Sequence, residues 1–262
     1  SFEGRIREVF PDTPIYGFSA QYSEPGFEER RSKDRFDLLL DLNDLTGQQP
    51  GERLLEDIKD YQSLQDIRGE GLKALMDVIG VPEEDRSERF PSALPREFSD
   101  GIPGDGDYES GSVLRIARWI RNSLLRKPGL TWSQQLTATK VGLSEESFKN
   151  KYREEFTDSI YSGPFADGVG KQWWRSRVIN RLLDLSAEMD VSIGAPWLAG
   201  PQILDADEDE ISECVVCEDS GPETTAYRSF DDDKLLPAHH SCSYIEKPRD
   251  GVFEDLRVIS KE

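Results

Sequence analysis

Apolar residues recur at three- and four-residue intervals along most of the chain up to about residue 190, and beyond it they do not. Helices are expected over 27–45 ("FEERRSKDRFDLLLDLNDL") and 52–64 ("ERLLEDIKDYQSL"), where Leu54, Leu55, Ile58 and Tyr61 make one face. A shorter helix is expected in 69–82, stopped by Gly80 and Pro82. Ser112 can cap a helix over 113–127, with Gly129 just past its end. Phe148, Tyr152, Phe156 and Ile160 stand four apart in 144–161, an aromatic stripe that reads as core. The segment 170–190 is the third strong helix of this half, with Val178, Leu182, Leu185 and Met189 inward.

Between these helices, "PSALPREFSDGIPGDGDYESG" is rich in Pro, Gly, Ser and Asp. It is expected as a long loop, either solvated or an arm that lies on a neighbouring subunit. After Val191 the helical period is lost, and "AYRSF" (226–230) and "VFEDLRVI" (252–259) read as short strands. The expected fold is mainly α, a helical body with a small β-containing C-terminal module of zinc-ribbon type. The expected organisation is an N-terminal helical region (1–81), a Pro/Gly-rich arm or linker (82–111), a helical domain (112–200) and a metal-binding module (201–262). No internal repeat is visible.

Charge narrows the choice of partners. Acids outnumber bases 52 to 32, for a net charge of -20, and arginines outnumber lysines. Such a surface suits concentrated salt, where self-repulsion is screened. It disfavours a protein that coats nucleic acid, which needs a basic footprint. Two basic islands interrupt the acidity: Arg115, Arg118, Arg121, Arg126 and Lys127, then Lys171, Arg175, Arg177 and Arg181 beside Trp173 and Trp174. They suit an acidic partner or DNA phosphates, or else ion pairs with the acids nearby. No apolar run reaches the length of a membrane span, and no secretory leader is expected from "SFEGRIREVF".

All 3 cysteines and both histidines fall in "CVVCEDSGPETTAYRSFDDDKLLPAHHSC", 214–242. An odd cysteine count argues against a disulfide framework and for a reducing compartment. Cys214 and Cys217 have the C-x2-C spacing that brings two thiolates from one tight turn to one ion. His239 and Cys242 form a second knuckle, with His240 the alternative imidazole. Three thiolates and an imidazole make a closed tetrahedral Zn²⁺ site. Metal binding contributes on the order of 10 kcal/mol to the folding of such small modules. A redox C-x2-C pair would not explain why the remaining Cys and His residues join it. The window also suggests an HNH-type or zinc-dependent nuclease, but few residues follow Cys242 and no third histidine exists. There is no phosphate-binding G-x4-G-K-[ST] frame and no G-x-S-x-G, so no catalytic residue is assigned.

The C-terminal window resembles the end of the Mu F-like phage head morphogenesis proteins, also called minor capsid proteins. Their pattern is C-x2-C, a hairpin-sized stretch, then Pro, His, two residues and Cys. Here "CVVC" supplies Cys214 and Cys217, and "LPAHHSC" supplies Pro237, His239 and Cys242. The resemblance spans residues 130–245, and its specific part is the C-terminal stretch. Family members often carry a further Cys where this chain has Tyr244. The resemblance implies a non-enzymatic virion protein of the head. Its partners would be the portal or major capsid protein, with possible contact to packaged DNA and none to a membrane. Together with the acidic surface, it implies a tailed virus of a halophilic archaeon, assembled in the host cytoplasm.

Overall fold

The computed structural model describes residues 2–19, 37–41, 48–104, 111–168, 170–189, 196–214, 224–229, 235–239 and 258–260. The described chain is mainly helical. It forms two compact units: Ser1–Arg126 with Ser162–Gly170, and Lys127–Tyr161 with Lys171–Glu262. The expected boundaries at 81/82 and 111/112 both fall inside the first unit. Among the described residues, no helix is long and apolar enough to cross a membrane.

The first unit begins with helix α1 (Phe2–Val9) and strand β1 (Tyr16–Ser19). Strand β2 (Leu38–Asp41) pairs parallel to β1, with Tyr16 opposite Leu38 and Ser19 opposite Asp41. This corrects the expected helix over 27–45 at these four residues. A short run such as "LLLD" has no period that separates a strand from a helix turn, and pairing with β1 selects the strand.

Helix α2 (Gln48–Asp66) buries Asp57, Tyr61 and Leu64, while Leu55 is exposed. Of the expected stripe, Tyr61 is buried and Leu54 and Ile58 are half-buried; Leu55 is the exception, and Asp57 joins the face within a polar cluster described below. Helix α3 (Leu72–Ile79) ends as its sequence implies. Gly80 is left-handed (φ 72°), and the last carbonyls, of Asp77 and Met76, receive the N–H groups of Gly80 and Val81.

The Pro/Gly-rich segment that follows is not a long loop over its described part, 82–104. It folds into α4 (Glu83–Arg86), α5 (Arg89–Ala93) and a 3-10 turn (Arg96–Phe98), burying Phe90, Leu94, Phe98 and Ile102. Pro82 and Pro95 stand immediately before a helical turn, where a fixed φ and a missing N–H cost nothing. The apolar residues between the prolines supply the burial.

Helix α6 (Ser112–Trp119) continues as a π-helical turn, Ile120–Leu124. Ser112 is the first helical residue and does not cap it; the Val113 N–H is taken instead by the carboxylate of Asp12 at 3.1 Å.

In the second unit, strand β3 (Thr131–Ser133) runs antiparallel to β4 (Gln172–Trp174), with Trp132 opposite Trp173. Between them come α7 (Gln134–Lys140), the single turn α8 (Glu145–Ser147), a π turn (Phe148–Tyr152) and a 3-10 stretch (Arg153–Ser159). Ser133 and Ser144 cap α7 and α8 by accepting the N–H groups of Leu136 and Ser147. The expected single helix over 144–161 is thus broken into three windings. Its stripe still faces inward, because Phe148, Tyr152 and Phe156 are buried.

Trp173 lies at the centre of this core, with Phe148 edge-on at 5.5 Å. Each such large apolar side chain contributes roughly 1.5–3 kcal/mol by leaving water. Helix α9 (Arg175–Met189) starts only after β4 and buries Val178 and Leu182, with Leu185 packed against the cluster. The side chain of Met189 lies outside the described residues. Helix α10 (Pro196–Ile203) follows. Strands β5 (Thr224–Ser229), β6 (Leu235–His239) and β7 (Val258–Ser260) form an antiparallel sheet in the order β6-β5-β7. The strand expected at 226–230 is present as β5, and that at 252–259 begins, among described residues, at Val258.

Candidate functional site

Cys214 and His239, the described members of the expected metal set, stand beside a seam and in a hairpin of the second unit. The seam joins residues 210–212 to the end of α7. Ser144 donates its N–H to the Glu210 carbonyl (2.9 Å), Ile211 bridges Leu143, and Ser212 donates its N–H to the Gly142 carbonyl (3.2 Å) and its Oγ–H to the Leu143 carbonyl (2.6 Å). Cys214 follows two residues later and is buried.

Side chains reinforce the same seam. Glu210 Oε2 accepts from the Tyr152 hydroxyl at 2.5 Å, from Lys151 Nζ at 2.9 Å and from the Asp207 N–H at 3.0 Å. These bonds, Tyr152 first, pull the Glu210 carboxyl down to about 2. Lys151 is raised, through its bonds to Tyr152 and then Glu210.

The hairpin is β5 and β6. Thr224, the first residue of β5, is the register partner of His239, the last residue of β6. The chain enters β5 from the Cys214–Cys217 side and leaves β6 toward Cys242. The chain therefore enters and leaves the hairpin at one end, and α7 lies against β5 and β6. Cys217, His240 and Cys242 lie outside the described residues, as does the His239 side chain. Among the described residues, no group of three or more His, Cys, Asp and Glu side chains is arranged to hold a metal.

A second constellation, in the first unit, was visible in the sequence only as a basic island. Arg121, on the π turn after α6, forms an ion pair with the buried Asp57. It donates from Nη1 to the Asp37 carbonyl (2.5 Å) and the Tyr61 hydroxyl (3.3 Å). Its guanidinium lies 4.1 Å from the centroid of Phe165 and 5.2 Å from that of Tyr61, within cation–π range.

Asp37 ties this cluster to the strands. Its Oδ1 accepts from Arg118 at 3.2 Å, and its Oδ2 from the Ile15 N–H at 2.9 Å. Phe165 is a non-glycine residue at φ 65°, and its N–H donates to Asp60 Oδ2 at 2.7 Å. The Tyr16 hydroxyl and Asp57 Oδ2 are buried with no hydrogen-bond partner. Burial dominates the ionisation of this region, disfavouring whichever form carries charge. It lowers Arg121 to about 10, raises Tyr16 to about 12 and raises Asp60 to about 6. One signal for the cluster was present in the sequence: Asp57, Tyr61 and Leu64 lie on one face of α2, so an acid shares a stripe with apolar residues.

Most described members of the basic islands are engaged within the chain. Arg115 pairs with Glu97, Arg118 with Asp37 and Arg181 with Glu155. Arg177 donates to the Asp158 carbonyl, and Arg175 lies over the Trp132 ring at 5.7 Å. The reading as intramolecular ion pairs with nearby acids holds for Arg115, Arg118, Arg121 and Arg181, whereas Arg177 and Arg175 are engaged by a carbonyl and a ring.

No family model, curated protein or solved structure matches this chain.

Proposed function

We propose that this chain is a structural protein of a virion head, of the head-morphogenesis or minor-capsid type, whose C-terminal module is held by one Zn²⁺. Cys214, Cys217, His239 and Cys242 are its ligands. The observation that supports the zinc module is the register of Thr224 with His239, and the virion role rests on the C-x2-C and Pro-x-His-x2-Cys pattern of the sequence. Two ligand pairs flanking a hairpin can share one ion only if both connect to the same end of it, and this pairing meets that requirement. The donor set of three thiolates and one imidazole suits zinc and closes its tetrahedron, leaving no position for a reacting water. The ion is structural on this reading: it joins the hairpin to the chain that leaves the seam at the buried Cys214. The partners are other head proteins, the portal or the major capsid protein, with packaged DNA as a further contact.

Quantitative mass spectrometry of purified particles tests the assignment. The chain should persist in fixed stoichiometry to the portal through density-gradient purification and removal of loosely bound protein. Its loss from particles during purification would refute the virion role, whatever the metal content.

A further inference from the structure

We infer that Ser162–Gly170 is a latch on the first unit, docked on α2 through Phe165 and tightened when Asp60 takes up a proton. This segment returns the chain to the first unit between two stretches of the second. Pro164 and Phe165 are both buried, and Phe165 makes the ring and N–H contacts to α2. The Phe165 side chain is buried against the Tyr61 ring (5.2 Å, edge-on) and beneath Arg121, and its N–H is held by Asp60. Two short-range backbone bonds, Ala166 N–H to Gly163 O and Gly168 N–H to Phe165 O, shape the rest. A left-handed φ at Phe165 is unfavourable for a residue with a Cβ and persists only where surrounding contacts enforce it. Release of the ring and the N–H therefore removes the reason for that conformation.

Docking half-buries the Asp60 carboxylate. The charged and titratable groups that act on it are Glu56 and Lys59 on α2, Asp167 on the latch and Tyr16 on β1. Lys59 is drawn to Glu56 at 2.6 Å, and Arg121 is committed to Asp57. The docked carboxylate therefore faces two like charges, Glu56 and Asp167, with little compensation beyond the Phe165 N–H. A neutral carboxyl still accepts that bond through its carbonyl oxygen and loses the repulsion. Burial raises Asp60 to about 6 in the docked form, whereas a released Asp60 titrates near the ordinary value of about 4. The sign follows: docking binds a proton, so the latch is tighter near pH 5 than near pH 7.5, and it loosens as pH rises through about 6.

Hydrogen exchange on the full chain tests this, read at the Phe165 and Gly168 amides and corrected for intrinsic rates. Protection at about pH 5 should exceed that at about pH 7.5 by at least about fivefold, since each pKa unit corresponds to a factor of ten. Asp60→Asn keeps an acceptor without titrating, and should show the same protection at both values. Glu56→Gln removes a facing charge and should move the transition to lower pH. Equal wild-type protection at the two pH values overturns the latch, as does an undiminished pH dependence in Asp60→Asn. Should Asp60→Asn fail to fold, an unmoved transition in Glu56→Gln overturns it instead.

Discussion

The Arg121 guanidinium lies over the Phe165 ring at 4.1 Å while paired to Asp57 on α2. One side chain thus joins the π turn, the long helix and the returning segment of the first unit. Removing it leaves the Asp57 carboxylate buried without its partner. Arg121→Ala should destabilise the first unit by about 3–5 kcal/mol, the scale for breaking a buried pair from one side. Arg121→Lys keeps the charge and loses the planar fork, so it should recover only part of that loss. Urea titrations resolved by hydrogen exchange in α2 and α6 measure both. An unchanged midpoint for Arg121→Ala would show the cluster to be energetically idle.

In the second unit, α10 approaches the end of α7 where Gly200 meets Val141. A Cβ built on Gly200 would lie 2.0 Å from the Val141 carbonyl oxygen. Backbone cannot yield as a flexible side chain does, so Gly200→Ala should cost at least about 1–3 kcal/mol, the range for overpacking a core. Gly129→Ala is the control, since nothing lies within 4 Å of its added Cβ. Thermal unfolding should separate the two variants, and equal melting temperatures would contradict the close approach.

The sequence revealed elements where one local rule decided the outcome. Gly80 and Pro82 ended α3 as expected, the aromatic stripe at four-residue spacing in 144–161 proved to be core, and the described part of "AYRSF" lies in β5. It misled where tertiary context decides. Leu38–Asp41 is a strand because β1 pairs with it. Residues 83–98 are helical turns because Phe90 and Phe98 find a core to enter, despite a loop-like composition. The α2 stripe placed Asp57 among apolar residues, but it could not announce its partner, an arginine that arrives from a distant turn. For the proposed metal site, spacing alone named the candidate ligands. The added structural information is the hairpin register and the burial of Cys214 beside the seam.

The Glu210 carboxylate gives that seam a definite pH response. Its depressed value, to about 2, means that its stabilising bonds are fully present above the ordinary carboxylate pKa and are lost as pH falls toward about 2. Acid unfolding of the second unit should therefore include a contribution from Glu210. Glu210→Gln should be less stable than wild type at about pH 6 and should show a flatter decline between about pH 5 and pH 2. Parallel acid curves for the two proteins would remove Glu210 from the account.

The central claim is the zinc site, and metal stoichiometry tests it most directly. Full-length protein purified without chelator should carry about one zinc per chain, as a single four-ligand site requires. Cys214→Ser, Cys217→Ser, Cys242→Ser and His239→Ala should each lose it, while His240→Ala should retain it. A zinc-free protein whose β5–β6 amides are as protected from exchange as those of α7 would contradict the claim.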